Sequence, residues 1–179
     1  MNIGQWSDRP DYMEMAYKGL AFYAANTAAQ ALSVASSTYT GLAVANPTGS
    51  GKNLVLIDAG FGLQTLQTGF SAIVLGSAAT VALTTGNSTG PSGTPCVIGS
   101  SLTSVVKVGA SASLGGAPSI FRVLAGAQWV TTGTTSNIQN VKDYLDGLFV
   151  VPPGQLVCIE AITTAVTGLG HFTWLEIPL

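Results

Sequence analysis

The sequence predicts an all-β protein, built as a sandwich or a barrel. Short apolar runs alternate with clusters of Gly, Pro, Asn, Ser and Thr from about residue 19 to the end, and helical periodicity is scarce. Glycine is abundant at 22 of 179 residues, and only 8% of residues are charged. Many short strands separated by turn signals are typical of sandwiches and barrels.

The predicted strands follow from the apolar runs in chain order. They span residues 20–25, 31–35, 39–45, 53–61, 70–78, 80–85, 101–110, 119–130, 147–152, 155–163 and 170–179. Polar loops at 85–95 and 131–137 separate some of them, and residues 136–147 could hold one helical turn. The chain has no repeat of fixed period, so we expect one compact β-body.

The first eighteen residues differ from the rest of the chain. They hold five of its fourteen Asp, Glu, Lys and Arg residues, together with Trp6, Tyr12 and Tyr17. We therefore divide the chain into an N-terminal arm, residues 1–18, and a β-sandwich body, residues 19–179. A short helix over residues 11–20 is compatible with the arm's sequence.

The stretch NPTGSGKN, residues 46–53, resembles a phosphate-binding loop because glycines precede a lysine. A P-loop needs an early glycine and a hydroxyl after the lysine, and asparagines occupy both positions here. A strand-like run follows the lysine where a P-loop requires a helix. The stretch therefore predicts a β-hairpin turn with Lys52 as a solvated charge, so Lys52→Ala is expected to change stability by less than about 0.5 kcal/mol.

Other chemical signals are weak, and we expect neither an enzyme nor a cofactor or metal site. His171 is the single histidine and is interpreted as structural or surface-exposed, because no second ligand stands at metal-binding spacing. Asp143 and Asp146 could form a glycosidase pair but are more simply a polar loop. Cys96 and Cys158 are expected to be reduced, since the sequence does not start with a signal-peptide pattern.

Composition also bears on partners. The net charge of −2 predicts no nucleic-acid partner, and the long uncharged stretches are too rich in polar residues to predict a membrane span.

Two segments carry a resemblance to a known group of proteins. The run TYTGLAVANPTGSGKNLVLIDAGFGL (38–63) and the ending VVPPGQLVCIEAITTAVTGLGHFTWLEIPL (150–179) resemble tailed-phage virion proteins. That group has a strand–turn–strand segment of the first kind and a final PPG turn, followed by an aromatic–acid–proline close that Trp174, Glu176 and Pro178 match. The resemblance implies a capsid cement or decoration protein, or a related head or tail accessory, with a jelly-roll-like body of a kind that usually forms trimers.

This resemblance sets the functional expectation. The protein would bind the major capsid protein on the outer capsid surface, stabilise capsomer contacts, and assemble into virions in the host cytoplasm. The arm would supply the capsid contact, through Trp6, Asp8, Arg9 and Tyr12, because aromatic residues and arginine are enriched at interface hot spots. The arm could instead only pack on its own body, or be disordered.

Two other functions remain open. A fibre-tip or receptor-binding module for a host glycan would need exposed Trp, Tyr and Asp in one groove. A glycan-cleaving virion enzyme would need two carboxylates in a cleft.

Overall fold

A computed structural model describes residues 12–32, 38–64, 69–79, 92–113, 117–129 and 140–179. Within these residues lie a helix, α1 (Tyr12–Tyr17), and the strands β1 (Ala21–Ala25), β2 (Gln30–Leu32), β3 (Thr38–Asn46), β4 (Lys52–Leu63), β5 (Gly69–Ala79), β6 (Thr94–Pro95), β7 (Lys107–Ser113), β8 (Ser119–Trp129), β9 (Asn140–Tyr144), β10 (Val150–Val151), β11 (Gln155–Ile162) and β12 (Val166–Pro178). The strands form two antiparallel sheets packed face to face, which confirms the predicted all-β sandwich.

The two sheets contain different numbers of strands. The seven-stranded sheet has the order β10-β4-β12-β1-β6, with β9 also paired to β4 and β2 also paired to β12. The five-stranded sheet has the order β7-β3-β11-β5-β8. The chain crosses from one sheet to the other between β3 and β4 and again between β4 and β5, so neighbours in sequence face each other across the core.

The core lies between the sheets and is almost wholly apolar. The seven-stranded sheet contributes Phe22, Phe61, Phe172 and Trp174, and all four side chains are fully buried. The five-stranded sheet contributes smaller side chains to the same core, such as those of Val44, Val157 and Ile159. Burying one side chain of this kind contributes about 2 kcal/mol, so this layer stabilises the sandwich strongly.

The two longest strands, β4 and β12, pair with each other within the seven-stranded sheet. Their pairing runs from Lys52 opposite Pro178 to Leu63 opposite Gly168, with a bulge between Thr173 and Trp174. A bulge lets two residues of one strand face one of its partner. As a result, Leu56 lies opposite Trp174 in the core, whereas the next register pair, Asp58 with Thr173, lies on the outer side.

Helix α1 packs on the outer side of the same sheet. Its contacts join Tyr12, Met15 and Ala16 to Ala21, Ile57 and Leu175. The helix ends in a Schellman arrangement, in which the Leu20 amide donates to the Met15 carbonyl and the Gly19 amide to the Ala16 carbonyl. Gly19 has a φ of 74°, a conformation that favours glycine.

Three local predictions need correction or fall outside the structure. The 46–53 stretch is not a hairpin, because β3 and β4 belong to different sheets and the turn crosses between them. Residues 136–147 do not form a helical turn over their described part; β9 lies there because it pairs with the outer side of β4. The strand predicted at 80–85 lies outside the described residues.

Strand formation in the 101–110 run begins only at Lys107, so its first half is irregular. Over the part of the chain that the structure describes, no helix is long and apolar enough to cross a membrane.

Candidate functional site

The structure describes one of the four predicted capsid contacts. Trp6, Asp8 and Arg9 lie outside the described residues. Tyr12 begins α1 and is half-buried against the outer side of its own sheet. Its hydroxyl donates a hydrogen bond to Asp146 Oδ1 at 3.4 Å. Tyr12 therefore has a packing role within its own chain, and the capsid contact stays a prediction for all four.

Lys52 is not the solvated charge that the sequence predicts. Its Nζ lies 2.8 Å from Oε2 of Glu176, whose side chain is fully buried, while Lys52 keeps 29% of its side chain exposed. The other oxygen, Oε1, accepts hydrogen bonds from the Ser104 hydroxyl at 2.5 Å and from the Val105 amide at 3.1 Å. Both carboxylate oxygens are engaged, as a buried charge requires. This is a closed structural ion pair.

Asn46 joins the same turn to β10 and to the turn that follows β10. Its Nδ2 donates to the carbonyl oxygens of Lys52, at 2.8 Å, and Val151, at 3.0 Å. The backbone carbonyl oxygen of Asn46 accepts a hydrogen bond from the Gly154 amide at 2.8 Å. Three parts of the two segments that carry the phage resemblance therefore meet at one end of the sandwich: the 46–53 turn, the 152–154 turn and the end of β12.

A second polar cluster lies on the outer side of the seven-stranded sheet, beside α1. The strand register places Tyr23, Thr173, Asp58 and Tyr144 in one row across β1, β12, β4 and β9. The next row across the same strands is Ala25, His171, Gly60 and Lys142. We call the surface formed by Tyr23, Asp58, Lys142, Tyr144, His171 and Thr173 the tyrosine face.

Asp58 lies at the centre of the tyrosine face and is itself buried. Its Oδ2 is 3.2 Å from Nζ of Lys142, and its Oδ1 is 3.6 Å from Nε2 of His171. Oδ1 makes no hydrogen bond within the described residues. The hydrogen bond to Asp58 raises the pKa of Lys142, so the ammonium group stays charged. Asp58 thus holds the side chains of Lys142 and His171 in place, and both are more exposed than Asp58 itself.

His171 is half-buried, which agrees with its interpretation as a structural or surface histidine. A Cβ on Gly60 would lie 2.3 Å from Cε1 of His171, so glycine at this position leaves room for the ring. Burial lowers the pKa of His171, the charge of Lys142 lowers it further, and Asp58 acts in the opposite direction. The imidazole is therefore held in its neutral form at pH 7.

Two tyrosines stand at the ends of the row that contains Asp58, which we call the central row. Tyr144 is 65% exposed, and Nζ of Lys142 lies 4.6 Å from the centre of its ring, a cation–π contact. Tyr23, at the other end, is 37% exposed. The face therefore combines aromatic rings, a cation, an imidazole and a hydroxyl, and α1 borders it on one side. Such a set can stack against a ring and exchange hydrogen bonds with a polar ligand.

Asp143 and Asp146, the candidate glycosidase pair, have separate partners. Asp143, on β9, forms an ion pair with Arg122, whose Nε lies 2.6 Å from Oδ2. Asp146 accepts the Tyr12 hydrogen bond and has a φ of 47° in the turn after β9. This turn agrees with the simpler interpretation of Asp146, whereas Asp143 belongs to a strand and not to a polar loop.

The cysteines are both free thiols. Cys158 is buried in β11, and its Sγ donates to Oε1 of the buried Glu160 at 2.8 Å. Burial raises the pKa of both groups, and the carboxyl group raises that of Cys158 further. Cys96 is half-buried, and burial together with the charge of Asp58 raises its pKa. Thiols of this kind are poor nucleophiles.

A cavity of about 220 Å³ opens between the sheets near β10. Its wall is mostly apolar and includes Leu56, Phe121, Phe149, Val151 and Val157. The rings of Phe121 and Phe149 tilt against each other with their centres 4.8 Å apart. The cavity is thus lined by strands of both sheets, β4 and β10 on one side and β5, β8 and β11 on the other.

No group of three or more His, Cys, Asp or Glu residues within the described ranges could hold a metal ion. No known family model matches the chain, and no curated protein sequence matches it.

Proposed function

We propose that the chain is a structural virion protein, a capsid cement or decoration protein. It would bind the major capsid protein on the outer capsid surface of a bacteriophage and stabilise contacts between neighbouring capsomers. It would act as a homotrimer, assembled in the host cytoplasm, and its role would be binding rather than catalysis.

The observation that carries this proposal is the meeting of the resemblance segments at one end of the sandwich. The Lys52–Glu176 ion pair joins the 46–53 turn to the end of β12, and Asn46 joins that turn to residues 152–154. Residues that are far apart in sequence are thus used together to build the body. The resemblance therefore concerns how the sandwich is constructed, and a similar construction supports a similar structural role.

An apolar edge supplies further support. Ile120 and Val123 are exposed on β8, and Leu148 and Val150 are exposed next to the Phe121–Phe149 contact. Strand β8 is the last strand of its sheet among the described residues, and an edge strand is able to pair with another chain. A surface of this kind suits contacts between subunits or with a capsid shell.

The deciding experiment adds the purified protein to capsids that lack it. The proposal expects co-sedimentation with capsids, a higher disruption temperature, and density on the outer surface by cryo-electron microscopy. Density confined to the tail, or unchanged capsid stability with no co-sedimentation, would refute the cement function.

Variants of the arm locate the contact. Trp6→Ala should weaken attachment by more than about 1 kcal/mol if the ring fills a pocket, and Arg9→Ala should have a smaller, salt-sensitive effect. Tyr17→Ala is the matched control, because Tyr17 is a highly exposed aromatic residue of α1 outside the apolar contacts with the sheet. Equal losses for Trp6→Ala and Tyr17→Ala would argue against a specific anchor.

The oligomeric state is tested separately by analytical ultracentrifugation. A homotrimer at micromolar concentration is expected, and a monodisperse monomer would contradict this part of the proposal. Replacing Ile120 and Val123 together by serine should weaken the trimer without unfolding the monomer if the apolar edge is the contact.

A further inference from the structure

We propose that the tyrosine face is a binding site for a neutral saccharide chain. The inference is independent of capsid attachment, since it concerns a surface on the body rather than the arm. Its residues come from four separate strands, and the sheet register alone brings them together.

The central row has the dimensions of an extended ligand. Tyr23 and Tyr144 stand three strand positions apart, and neighbouring strands are about 4.8 Å apart, so their Cα atoms are separated by about 14 Å. Between them in the row lie Thr173 and the buried Asp58, and in the next row the ring of His171 lies over Gly60. An extended oligosaccharide could lie along this row, with a tyrosine ring at each end and the side chains of Thr173, His171 and Lys142 beside it.

The side chains offer what sugars require. A sugar ring presents C–H groups on its faces and hydroxyl groups around its edge. The exposed rings of Tyr23 and Tyr144 can cover the C–H groups, as aromatic rings do with apolar surface. Lys142 can donate hydrogen bonds to the hydroxyl groups, and Thr173 and the neutral ring of His171 can both donate and accept them.

The charge of the face argues for a neutral ligand. Lys142 and Asp58 compensate each other at 3.2 Å, and His171 is neutral at pH 7 because burial lowers its pKa. A phosphate or an acidic polysaccharide would find one cation that is already paired. A protein partner would require an apolar centre, whereas here the centre is polar and the aromatic residues stand at the ends.

Asp58 acts as a positioning residue. Its Oδ1 is buried, so the contact with a ligand falls to the side chains that it holds, Lys142 and His171. Helix α1 supplies the border of the face and is held by its own apolar contacts.

The test is an array of bacterial capsular and O-antigen polysaccharides, both neutral and acidic, probed with the full-length protein. The proposal expects binding to at least one neutral polysaccharide. Binding to none, or to acidic polysaccharides alone, would overturn it. For the best neutral polysaccharide, calorimetry with its isolated repeat oligosaccharide then measures affinity.

Variants show whether binding uses this face. Tyr144→Ala and Tyr23→Ala should each reduce affinity by about tenfold, since each removes a stacking ring. Tyr17→Ala, an exposed tyrosine on α1 outside the face, should leave affinity unchanged. Thermal melts establish that each variant is folded, and equal affinity of the two face variants and the wild type would overturn the proposal.

Asp58→Asn separates positioning from simple structure. The charge of Asp58 raises the pKa of His171, so the variant should titrate at lower pH, and NMR can follow this on the protein's single histidine. The variant should also bind the oligosaccharide less tightly, by about threefold to tenfold. An unchanged histidine titration together with unchanged affinity would refute the positioning role.

Discussion

Glu176 and Asp58 are both carboxylates on the paired strands β12 and β4, and each has a lysine partner. Their surroundings differ. Glu176 is fully buried, and both of its oxygens accept hydrogen bonds from within the chain. Asp58 has one oxygen without a hydrogen bond among the described residues, and its neighbours Lys142 and His171 reach solvent.

The difference separates a structural site from one that can bind. A carboxylate whose hydrogen-bond partners all come from its own chain has no acceptor site left for a ligand. Its hydrogen bonds therefore contribute to the stability of the fold. A carboxylate that holds exposed groups in position can affect binding at little cost to the fold. We therefore expect that substitution of Glu176 mainly lowers the stability of the protein. Substitution of Asp58 should mainly weaken ligand binding.

The largest expected effect is that of Glu176→Gln. The substitution removes the negative charge next to Lys52 and brings an amide group among hydrogen-bond donors, so it should lower the free energy of unfolding by about 3 kcal/mol. Lys52→Ala should cost about 2 kcal/mol, less than breaking a fully buried pair, because Lys52 keeps 29% exposure. Urea denaturation followed by far-UV circular dichroism measures both.

Lys18→Ala is the matched control for Lys52→Ala. Lys18 forms an exposed ion pair with Glu14 along α1, and such pairs contribute less than about 1 kcal/mol. Equal costs for Lys18→Ala and Lys52→Ala would mean that the Glu176 pair is not the closed site that the geometry indicates.

The next largest effect concerns the helix that borders the tyrosine face. Deleting residues 1–18 exposes Ala21, Ile57 and Leu175, which α1 covers, and should lower the free energy of unfolding by about 2 kcal/mol. Deleting residues 1–11 leaves α1 in place and should cost less. Thermal melts of the two truncations test this, and identical melting temperatures would show that α1 adds no stability.

The sequence was sufficient for the sandwich because alternating apolar runs and turn residues are local signals. It was insufficient for the pairing of strands. Nothing near Lys52 in the sequence indicates Glu176, since the contact depends on β4 pairing with β12. For the same reason Asp58, Lys142 and His171 could not be recognised as a group. In the sequence His171 stands out only as the single histidine. The hairpin prediction is wrong because a local turn signal does not tell which sheet the next strand joins.

The third effect is a pH dependence of the free energy of unfolding, which arises from His171 in the tyrosine face. Because the pKa of His171 is lowered in the folded protein, the unfolded chain takes up the proton first as pH falls below about 6.5. The free energy of unfolding should therefore decrease as the pH falls from that value through the lower pKa of the folded state. His171→Gln should flatten the profile in this range. An unchanged profile in His171→Gln would show that the imidazole is not desolvated by the tyrosine face.

The smallest effect on stability is expected for Asp58→Asn, the isosteric counterpart of Glu176→Gln. Lys142 is almost half exposed, so loss of its ion pair should cost less than about 1 kcal/mol. The asparagine can still accept a hydrogen bond from Lys142, and removing the charge also removes the cost of burying it. Urea denaturation of the two variants side by side tests the comparison directly. If Asp58→Asn is as destabilising as Glu176→Gln, then Asp58 is a structural residue, and the division between a closed end and an open face does not hold.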